Sequence, residues 1–322
     1  NESFTFDLDW GDGRDAIVGM SVADMNGGPG TPSTGMFGAS HTYADDGIYT
    51  VTVTIYDDNG GSHSQMFTVT VNNVDPTLSV TPSAATIDEG STVSFEAIFS
   101  DPGFDNPSNP TTPATGNPFN ESFTFDVDWG DGRDAIVGMS VADINGSPGT
   151  PSTGMFGGSH TYADDGVYTV TVTIYDDNGG SHTQTFDVTV LNVVPTLSVT
   201  PSPTTIDEGS SISFEAIFSD PGFDNPLNPT TPSTGDPFNE SFTYFLDWGD
   251  GRNQIGSASL TDINGSPGVL TTGTFGGSHM YADDGTYTVT IRIADDNMSG
   301  NFATGTAGVD FVEKTFTVVV NN

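Results

Sequence analysis

Paired acidic residues recur in short glycine-containing turns of this chain and could bind a divalent cation. The turn 176–180 reads Asp-Asp-Asn-Gly-Gly, and the turn 164–166 reads Asp-Asp-Gly. Calcium takes six to eight oxygen ligands from carboxylates, amide side chains and backbone carbonyls at about 2.3–2.6 Å, and such turns supply all three kinds. The alternative is that Asp and Asn stand there because they favour turns.

The acidic turns belong to a tandem repeat. The run Trp-Gly-Asp-Gly begins at Trp10, Trp129 and Trp248, which gives a period of 119 residues. Residues 1–73 align with 120–192 without a gap and differ at about nine positions, which indicates duplication. We expect a first repeat over 1–73 that lacks its N-terminal strands, a complete repeat over 74–192, and a complete repeat over 193–322 with an extended final hairpin. The chain is therefore interpreted as a fragment of a longer polypeptide.

Alternation of apolar and polar residues with a period of two dominates each repeat. Tyr168, Val170, Val172 and Ile174 share one face of a predicted strand, and threonines occupy the other face. Turn residues follow about every ten positions, and no stretch combines a helical period with helix caps. The pattern predicts an all-β fold of antiparallel sandwiches with about seven strands each.

Two aromatic residues of each repeat are expected to be structural. Trp129 continues the alternating series Phe123, Phe125 and Val127 and would anchor the core. Tyr162 stands where a tyrosine corner could lock the start of the following strand.

The sequence around these aromatics resembles the PKD-type domain, which is named after the polycystic kidney disease protein. The resemblance rests on Asp-Trp-Gly-Asp-Gly at 128–132 and on His-Thr-Tyr-Ala-Asp-Asp-Gly-Val-Tyr-Thr-Val-Thr-Val at 160–172, and it covers essentially every repeat. It implies an immunoglobulin-like sandwich, an extracellular or cell-surface setting and a non-catalytic role. Two long loops, at 101–122 and about 140–159, depart from the family pattern.

Alternating strand directions would place the turns at two opposite ends of each sandwich. The loop 101–105 and the hairpin 176–180 fall at the end facing the preceding repeat, here called the upstream end. The turns 88–90, 130–132 and 164–166 fall at the opposite, downstream end. The link Asn192-Val-Val-Pro195 leaves little slack, so each junction should gather carboxylates from two neighbouring repeats.

The predicted ligands of calcium, the expected cofactor, are the acidic and amide residues at these ends. At the upstream ends they are Asp57, Asp58 and Asn59 in the first repeat, Asp101, Asp105, Asp176, Asp177 and Asn178 in the second, and Asp220, Asp224, Asp295 and Asp296 in the third; at the downstream end of the first repeat they are Asp45 and Asp46.

The charge balance narrows the choice of partners. The chain holds 43 Asp and Glu against 5 Lys and Arg, a formal net charge of −38, so nucleic acid and anionic membranes would be repelled. Bound divalent cations would relieve this self-repulsion; the alternative is a solvated acidic surface suited to a salty medium. Because there is no cysteine, thiolate metal sites and thiol catalysis are excluded.

The few basic residues have limited roles. Arg14 and Arg133 are the only Lys or Arg residues of their repeats, and each could form a salt bridge, for Arg133 beside Asp126 and Asp128, or a clasp between neighbours. The single lysine, Lys314, excludes a Lys-Asn crosslink in every repeat.

The recurrent histidines do not indicate catalysis. His41, His160 and His279 each follow a serine, but adjacent residues of a strand face opposite sides and cannot form a catalytic pair. No His-x-x-x-His spacing indicates zinc. No enzymatic activity is expected.

Two functions remain open. The repeats could form a rod or filament of the extracellular space, stiffened by calcium and self-associating with neighbouring repeats or copies of the same chain, and a strand from another chain could complete the first repeat. Alternatively, the array is a stalk or glycan-binding adhesion module of a larger cell-surface protein, with surface glycans contacting Phe104, Phe119 and Phe156. No segment is expected to insert into a membrane.

Overall fold

The computed structural model describes residues 2–109, 120–228, 240–257, 259–295 and 311–322. All regular elements in these ranges are β-strands, so the predicted all-β class is confirmed. Asp296, Phe119, much of the proline-rich loop and most of the extended final hairpin lie outside the described residues.

The first repeat contains one four-stranded sheet and a short hairpin. Its strands are β1 (Phe4–Asp9), β2 (Ile17–Ser21), β3 (Ala23–Met25), β4 (Thr34–Met36), β5 (Gly47–Asp57) and β6 (Ser62–Val71). The sheet has the order β2-β1-β5-β6, and β3 pairs with β4. Its buried cluster comprises Phe6, Leu8, Val22 and Val51.

The second repeat is a sandwich of two sheets. Its strands are β7 (Thr77–Pro82), β8 (Thr86–Asp88), β9 (Thr92–Asp101), β10 (Phe123–Asp128), β11 (Ile136–Val141), β12 (Asp143–Ile144), β13 (Ser152–Thr161), β14 (Gly166–Asp176) and β15 (Ser181–Leu191). One sheet has the order β11-β10-β14-β15-β8 and the other β12-β13-β9-β7. The short strand β8 lies parallel to β15.

The third repeat has the same plan. Its strands are β16 (Thr196–Ser202), β17 (Thr205–Asp207), β18 (Ser211–Asp220), β19 (Thr243–Asp247), β20 (Asn253–Ser257), β21 (Ser259–Ile263), β22 (Thr271–Met280), β23 (Gly285–Ala294) and β24 (Val312–Asn321). The sheet orders are β16-β18-β22-β21 and β17-β24-β23-β19-β20.

Period-two alternation places the core residues of the sandwich as predicted. Val170, Val172 and Ile174 of β14 are fully buried, and their burial removes apolar surface from water on one face only. Trp129 is buried, and the Tyr162 hydroxyl donates a hydrogen bond to the Trp129 carbonyl at 2.8 Å. The tyrosine therefore ties the segment between β13 and β14 to the end of β10.

Residues 140–159 are not the long loop that the sequence suggested. They form β12, a tight turn and most of β13, and β13 pairs with β9 along its whole length. Its inward positions alternate as Gly154, Phe156 and Gly158, and a Cβ on Gly154 would lie 2.4 Å from the Phe99 ring. The glycines make room for large neighbours and so weaken the hydrophobic alternation. The second repeat consequently has nine strands in its described residues, not seven.

Candidate metal centres at the repeat junctions

The downstream end of each repeat contacts the upstream loop of the next. The amide of Phe104 donates to the Ala44 carbonyl at 3.1 Å, and one period later the amide of Phe223 donates to the Ala163 carbonyl at 3.1 Å. The two junctions therefore share one docking geometry. The loops meet at the ends that strand direction predicted.

An asparagine of each upstream loop caps an aspartate of the preceding repeat. The side-chain amide of Asn225 donates to the carbonyl and to Oδ2 of Asp131 at 3.0 and 3.2 Å, and this Oδ2 lies 2.8 Å from Nε2 of His160. Asn106 contacts Asp12 in the same way. None of these residues was among the predicted ligands, and their only sequence signal is recurrence at the 119-residue period.

The repeated arginines contact aromatic rings of the next repeat. The guanidinium of Arg133 lies 5.1 Å from the ring centre of Phe223, and the equivalent distance one period earlier is 5.0 Å. In the described part of the chain, no ion pair joins Arg133 to Asp126 or Asp128; these two carboxylates accept the backbone amides of Gly138 and Gly130. Within the described residues, the arginine ion pair found is that of Arg292 with Glu313, at 2.8 Å.

Four carboxylates border a cavity of about 110 Å³ at the first junction. Asp45 and Asp46 come from the first repeat, whereas Asp101 and Glu121 come from the second. The amide of Asn178 donates to Oδ1 of Asp45 at 2.9 Å and also to Asp46. The structure therefore brings predicted ligands together across the junction and adds Glu121, which the prediction lacked.

Asp101 lines this cavity and has a buried side-chain oxygen. The residue is 2% exposed; its Oδ1 accepts the amide of Gly103 at 2.7 Å, whereas no described group donates a hydrogen bond to its Oδ2. Burial and the neighbouring charges of Asp176 and Asp177 raise the pKa of Asp101 to about 6. A buried carboxylate oxygen of this kind is unfavourable unless it is protonated or paired with a cation.

The pKa values of two carboxyl groups near Asp101 are also raised. Burial and the charges of Asp177 and Asp101 raise the pKa of Glu121 to about 9. Burial is also the main reason that the pKa of Asp45 rises to about 6. Asp176, at the edge of this group, accepts a hydrogen bond from the side chain of Asn73 at 2.9 Å, which ties the hairpin to the link between repeats.

Three carboxylates from two repeats converge at the second junction. Glu89 belongs to the second repeat, and Asp220 and Asp295 belong to the third; one oxygen of each lies within 4.8 Å of the others, and all three residues are buried. Oε1 of Glu89 accepts the amide of Val193 in the link at 2.7 Å. Burial and the charge of Asp220 raise the pKa of Glu89 to about 10. We call these three residues the junction triad.

Two of the predicted ligands, Asp105 and Asp224, accept hydrogen bonds within their own upstream loops. Oδ1 of Asp105 accepts the amide of Glu121 at 2.9 Å, and Oδ1 of Asp224 accepts the amide of Glu240 at 2.7 Å. These hydrogen bonds position the two glutamates. The aspartates therefore support the acidic group indirectly.

In the described part of the chain, the hairpin 57–61 of the first repeat does not meet a neighbouring repeat. Oδ1 of Asp57 accepts amides within its own turn, including that of Asn59, and the Asn59 side chain donates to Asp58 at 3.1 Å. Asp58 and Asn59 are exposed. The turn preference of Asp and Asn accounts for these contacts.

The prediction omitted the two glutamates that face the junctions. Glu89 lies in the turn after β8, and Glu121 precedes β10; both recur one period later, as Glu208 and Glu240. Recurrence was the signal that could have found them. Glu89 follows Asp88 in the turn 88–90, which was placed at the downstream end without being included among the predicted ligands, and Glu121 stands apart from any acidic pair.

The chemistry of these sites suits a hard divalent cation. All the candidate ligands offer oxygen, several as carboxylates, and the groups lie at strand ends and in turns. Calcium favours such sets, whereas magnesium usually keeps several waters and few carboxylates. Imidazole and thiolate, the ligands of structural zinc, are not part of the junction triad.

Comparisons with known proteins agree with the fold. The sequence model of a family described as "Putative Ig domain" (He_PIG) matches residues 150–191. This match, together with the sheet topology, supports the predicted tandem of immunoglobulin-like sandwiches. No curated protein sequence matches the chain. None of the described residues forms a helix long and apolar enough to cross a membrane.

Three solved structures illustrate the range of similar folds. A PKD domain of an M14-like peptidase from a Thermoplasmatales archaeon is 18% identical, with a TM-score of 0.23, covering 40% of this chain and 94% of the other. Fibronectin(III)-like modules of CbhA from Clostridium thermocellum are 14% identical, with a TM-score of 0.22, covering 76% and 94%. A transglutaminase of red sea bream is 10% identical, with a TM-score of 0.25, covering 78% and 32%. Likenesses this slight carry no argument about function.

Proposed function

We propose that this chain is a non-catalytic structural protein of the extracellular space, whose tandem sandwiches form a rod or filament with calcium ions bound at the junctions. The observation that carries the proposal is the junction triad. Glu89 approaches Asp220 and Asp295 from the neighbouring repeat, and all three carboxylates are buried. An ion shared by them would join two sandwiches directly.

The electrostatic reason for an ion is the concentration of like charge. One oxygen of each carboxylate in the junction triad lies within 4.8 Å of the others, and the whole chain has a formal net charge of −38. Buried carboxylates at this spacing must be protonated or neutralised, because their mutual repulsion is strong at low dielectric. At neutral pH a divalent cation would do this while satisfying several oxygens at once.

The protein contacts at the junctions favour a stiff rod. Each junction combines a backbone hydrogen bond, an asparagine cap and an arginine–ring contact from adjacent repeats. The link 192–195 is held at Val193 by Glu89. Such a junction restrains bending, so that the rod axis would be set by the repeat and stiffened further by calcium.

His160 and Phe104, which bear on catalysis and glycan binding, pack against other side chains. The ring of His160 stacks on Trp129 at 5.2 Å, and its Nε2 contacts Asp131, which Asn225 caps. Phe104 is 3% exposed beneath Arg14 at the first junction. The histidine therefore has a structural partner, and Phe104 does not offer the exposed ring face that a glycan needs.

Calcium titration of the full chain tests the proposal. We expect calorimetry to show binding, and thermal unfolding to shift upward with calcium, in wild type. Glu89→Gln should lose the tightest site, whereas Glu96→Gln, which removes the same charge from an exposed position on β9, should keep it. Electron microscopy with and without a chelator then tests the rod.

Two results would overturn parts of this proposal. Equal calcium binding by the Glu89→Gln and Glu96→Gln variants would remove the junction triad as the site. Rods that keep the same stiffness after chelation and bind saccharides would favour the adhesion-stalk alternative instead.

A further inference from the structure

The edge strand β20 of the third repeat pairs differently from its counterpart β11 in the second. In the second repeat Val127 lies opposite Ile136, beside a shift in register. In the third, β19 and β20 pair without a shift, and Phe245 lies opposite Ile255, the residue that follows Ile136 by one period. A change of one residue in register turns a side chain to the other face of a sheet. Ile136 accordingly packs against the core, whereas Ile255 is 57% exposed.

Two substitutions account for the regular pairing of β20. In the second repeat Oδ1 of Asp126 accepts the amide of Gly138 at 2.6 Å, and this glycine has a φ of 62°, which suits glycine best. One period later the two positions hold Phe245 and Ser257. The phenylalanine side chain offers no acceptor, and serine does not favour the positive φ. The irregularity of β11 is therefore lost in β20.

Most sheet edges of the third repeat carry features that prevent another strand from adding. Natural proteins protect open edges with charges, proline, short strands or bulges. In the described part of this repeat, β16 contains Pro201, β17 has three residues and ends in Asp207, and β21 contains Asp262. The remaining edge strand, β20, contains no charged residue and no proline, and it pairs with β19 without a bulge. It is therefore the unprotected edge.

The backbone of β20 is oriented to pair with a further strand. The amide of Trp248 donates to the carbonyl of Arg252 at 3.1 Å, and hydrogen-bonded and non-hydrogen-bonded pairs alternate along antiparallel strands. The amides and carbonyls of Asn253, Ile255 and Ser257 therefore point away from β19. All three residues are exposed, and within the described residues β20 is the last strand of its sheet.

The charges around β20 permit the approach of a second acidic chain. Three of the five Lys and Arg residues of the chain belong to the third repeat, and one of them, Arg252, directly precedes β20. The guanidinium of Arg292 lies 5.2 Å from the ring centre of Phe245. Asn253 stands where the second repeat has Asp134. Repulsion between two copies should therefore be weaker at β20 than at β11.

We propose that β20 is a self-association edge, at which two copies of this chain pair antiparallel about a two-fold axis through Ile255. Such an interface is self-complementary. Ile255 would lie opposite the same residue of the second copy, and Asn253 would lie opposite Ser257, with reciprocal backbone hydrogen bonds at each pair. The two isoleucines would cover each other beside Phe245. The contact would join two rods side by side, and it does not depend on calcium at the repeat junctions.

Sedimentation velocity of the full chain, over a concentration series with chelator present, tests this proposal. We expect a reversible dimer that strengthens from about 0.1 M to about 1 M NaCl, because salt screens the repulsion between acidic copies. Ile255→Asp should weaken the dimer by about tenfold or more, because it places like charges opposite each other. Ile217→Asp is the matched control, since Ile217 is 53% exposed but lies on the central strand β18, and it should dimerise as wild type does.

A nearly isosteric variant separates loss of pairing from loss of folding. Asn253→Asp restores the carboxylate that the second repeat has at Asp134, at an exposed position where it should not disturb packing. We expect the dimer to weaken by about threefold or more near 0.1 M NaCl and to recover near 1 M. Thermal unfolding of this variant should match that of wild type. An unchanged dimer at low salt would contradict the antiparallel pairing.

A cysteine crosslink tests the two-fold geometry itself. The chain contains no cysteine, so a single introduced thiol reports one contact. Hydrogen-bonded antiparallel pairs have Cα atoms about 5.5 Å apart, a distance that a disulfide spans. Ile255→Cys should form a covalent dimer under mild oxidation, whereas Ile217→Cys should remain monomeric on a reducing-agent-free gel.

Three results would overturn the self-association edge. They are a wild-type chain that stays monomeric near 1 M NaCl, equal dimerisation of the Ile255→Asp and Ile217→Asp variants, and equal crosslinking of the two cysteine variants. Because the dimer is measured with chelator present, a failure of the calcium proposal would leave it in place. Loss of the dimer would likewise leave calcium binding by the junction triad untouched.

Discussion

The two junctions are built from nearly the same residues, yet they present different sites. At the second junction Glu89, Asp220 and Asp295 form a compact buried triad. At the first, Asp45, Asp101 and their neighbours surround a cavity of about 110 Å³. The difference is Glu89, which comes from the N-terminal strands of the second repeat and has no counterpart in residues 2–73. A complete site therefore needs both sheets of the upstream sandwich.

Removal of calcium should produce the largest difference between the two junctions. At calcium concentrations about a hundredfold above Kd, each site would contribute about 2.7 kcal/mol of stability. We expect chelation to increase hydrogen exchange in the link 192–195 more than in 73–76, because within the described residues the triad is found at the second junction. Equal changes at both links would show that Glu89 does not distinguish them.

The pH dependence should reverse with calcium. Burial raises the pKa of Glu89 to about 10 and that of Asp101 to about 6. Without metal, the folded state binds more protons than the unfolded state, so stability is greatest near pH 4 and falls as pH rises through about 6 and towards 10. With calcium, deprotonation favours binding, and stability should rise with pH instead.

Thermal unfolding at pH 5 and pH 8, with calcium or chelator, measures this reversal. The Glu89→Gln variant is the control, because it removes the carboxyl group whose pKa is raised to about 10. A metal-free chain that is more stable at pH 8 than at pH 5 would contradict the assignment.

Loss of an asparagine cap should have an intermediate effect. Asn225→Ala removes two hydrogen bonds to Asp131 and leaves a buried carbonyl and carboxylate less well satisfied, which should cost about 1–3 kcal/mol at the second junction. Asn106→Ala should act equally at the first, because the contacts match. Denaturant unfolding of both variants would show whether the caps are equivalent.

The smallest change in stability should come from substituting Asp75, a residue that differs between the two links. Asp75 stands where the second link has Val194, and its charge contributes to the raised pKa of Asp101. Because Asp75 is exposed, Asp75→Val should stabilise the metal-free chain by only a few tenths of a kcal/mol. A matched Val194→Asp change should act in the opposite direction; like signs for both would refute this electrostatic explanation.

Strand positions were largely predictable, and the exceptions have a physical cause. The alternation of Val170, Val172 and Ile174 specified β14 because one side of a sheet must be apolar. The strand β13 was missed because its inward glycines accommodate the rings of Phe99 and Trp129. A sequence pattern records the side chains of a strand but not the space that its neighbours fill.

By itself, the sequence determined the repeat, the all-β class and the ends at which acidic turns gather. Only the tertiary structure decided which carboxylates meet. Glu89 and Asp220 are far apart in the chain and lie in different repeats, so their approach depends on the docking of two folded sandwiches. The same holds for Phe67 and Phe186, which are identical in type and strand position but differ in burial. Burial is a property of what packs against a face, and the face alone does not encode it.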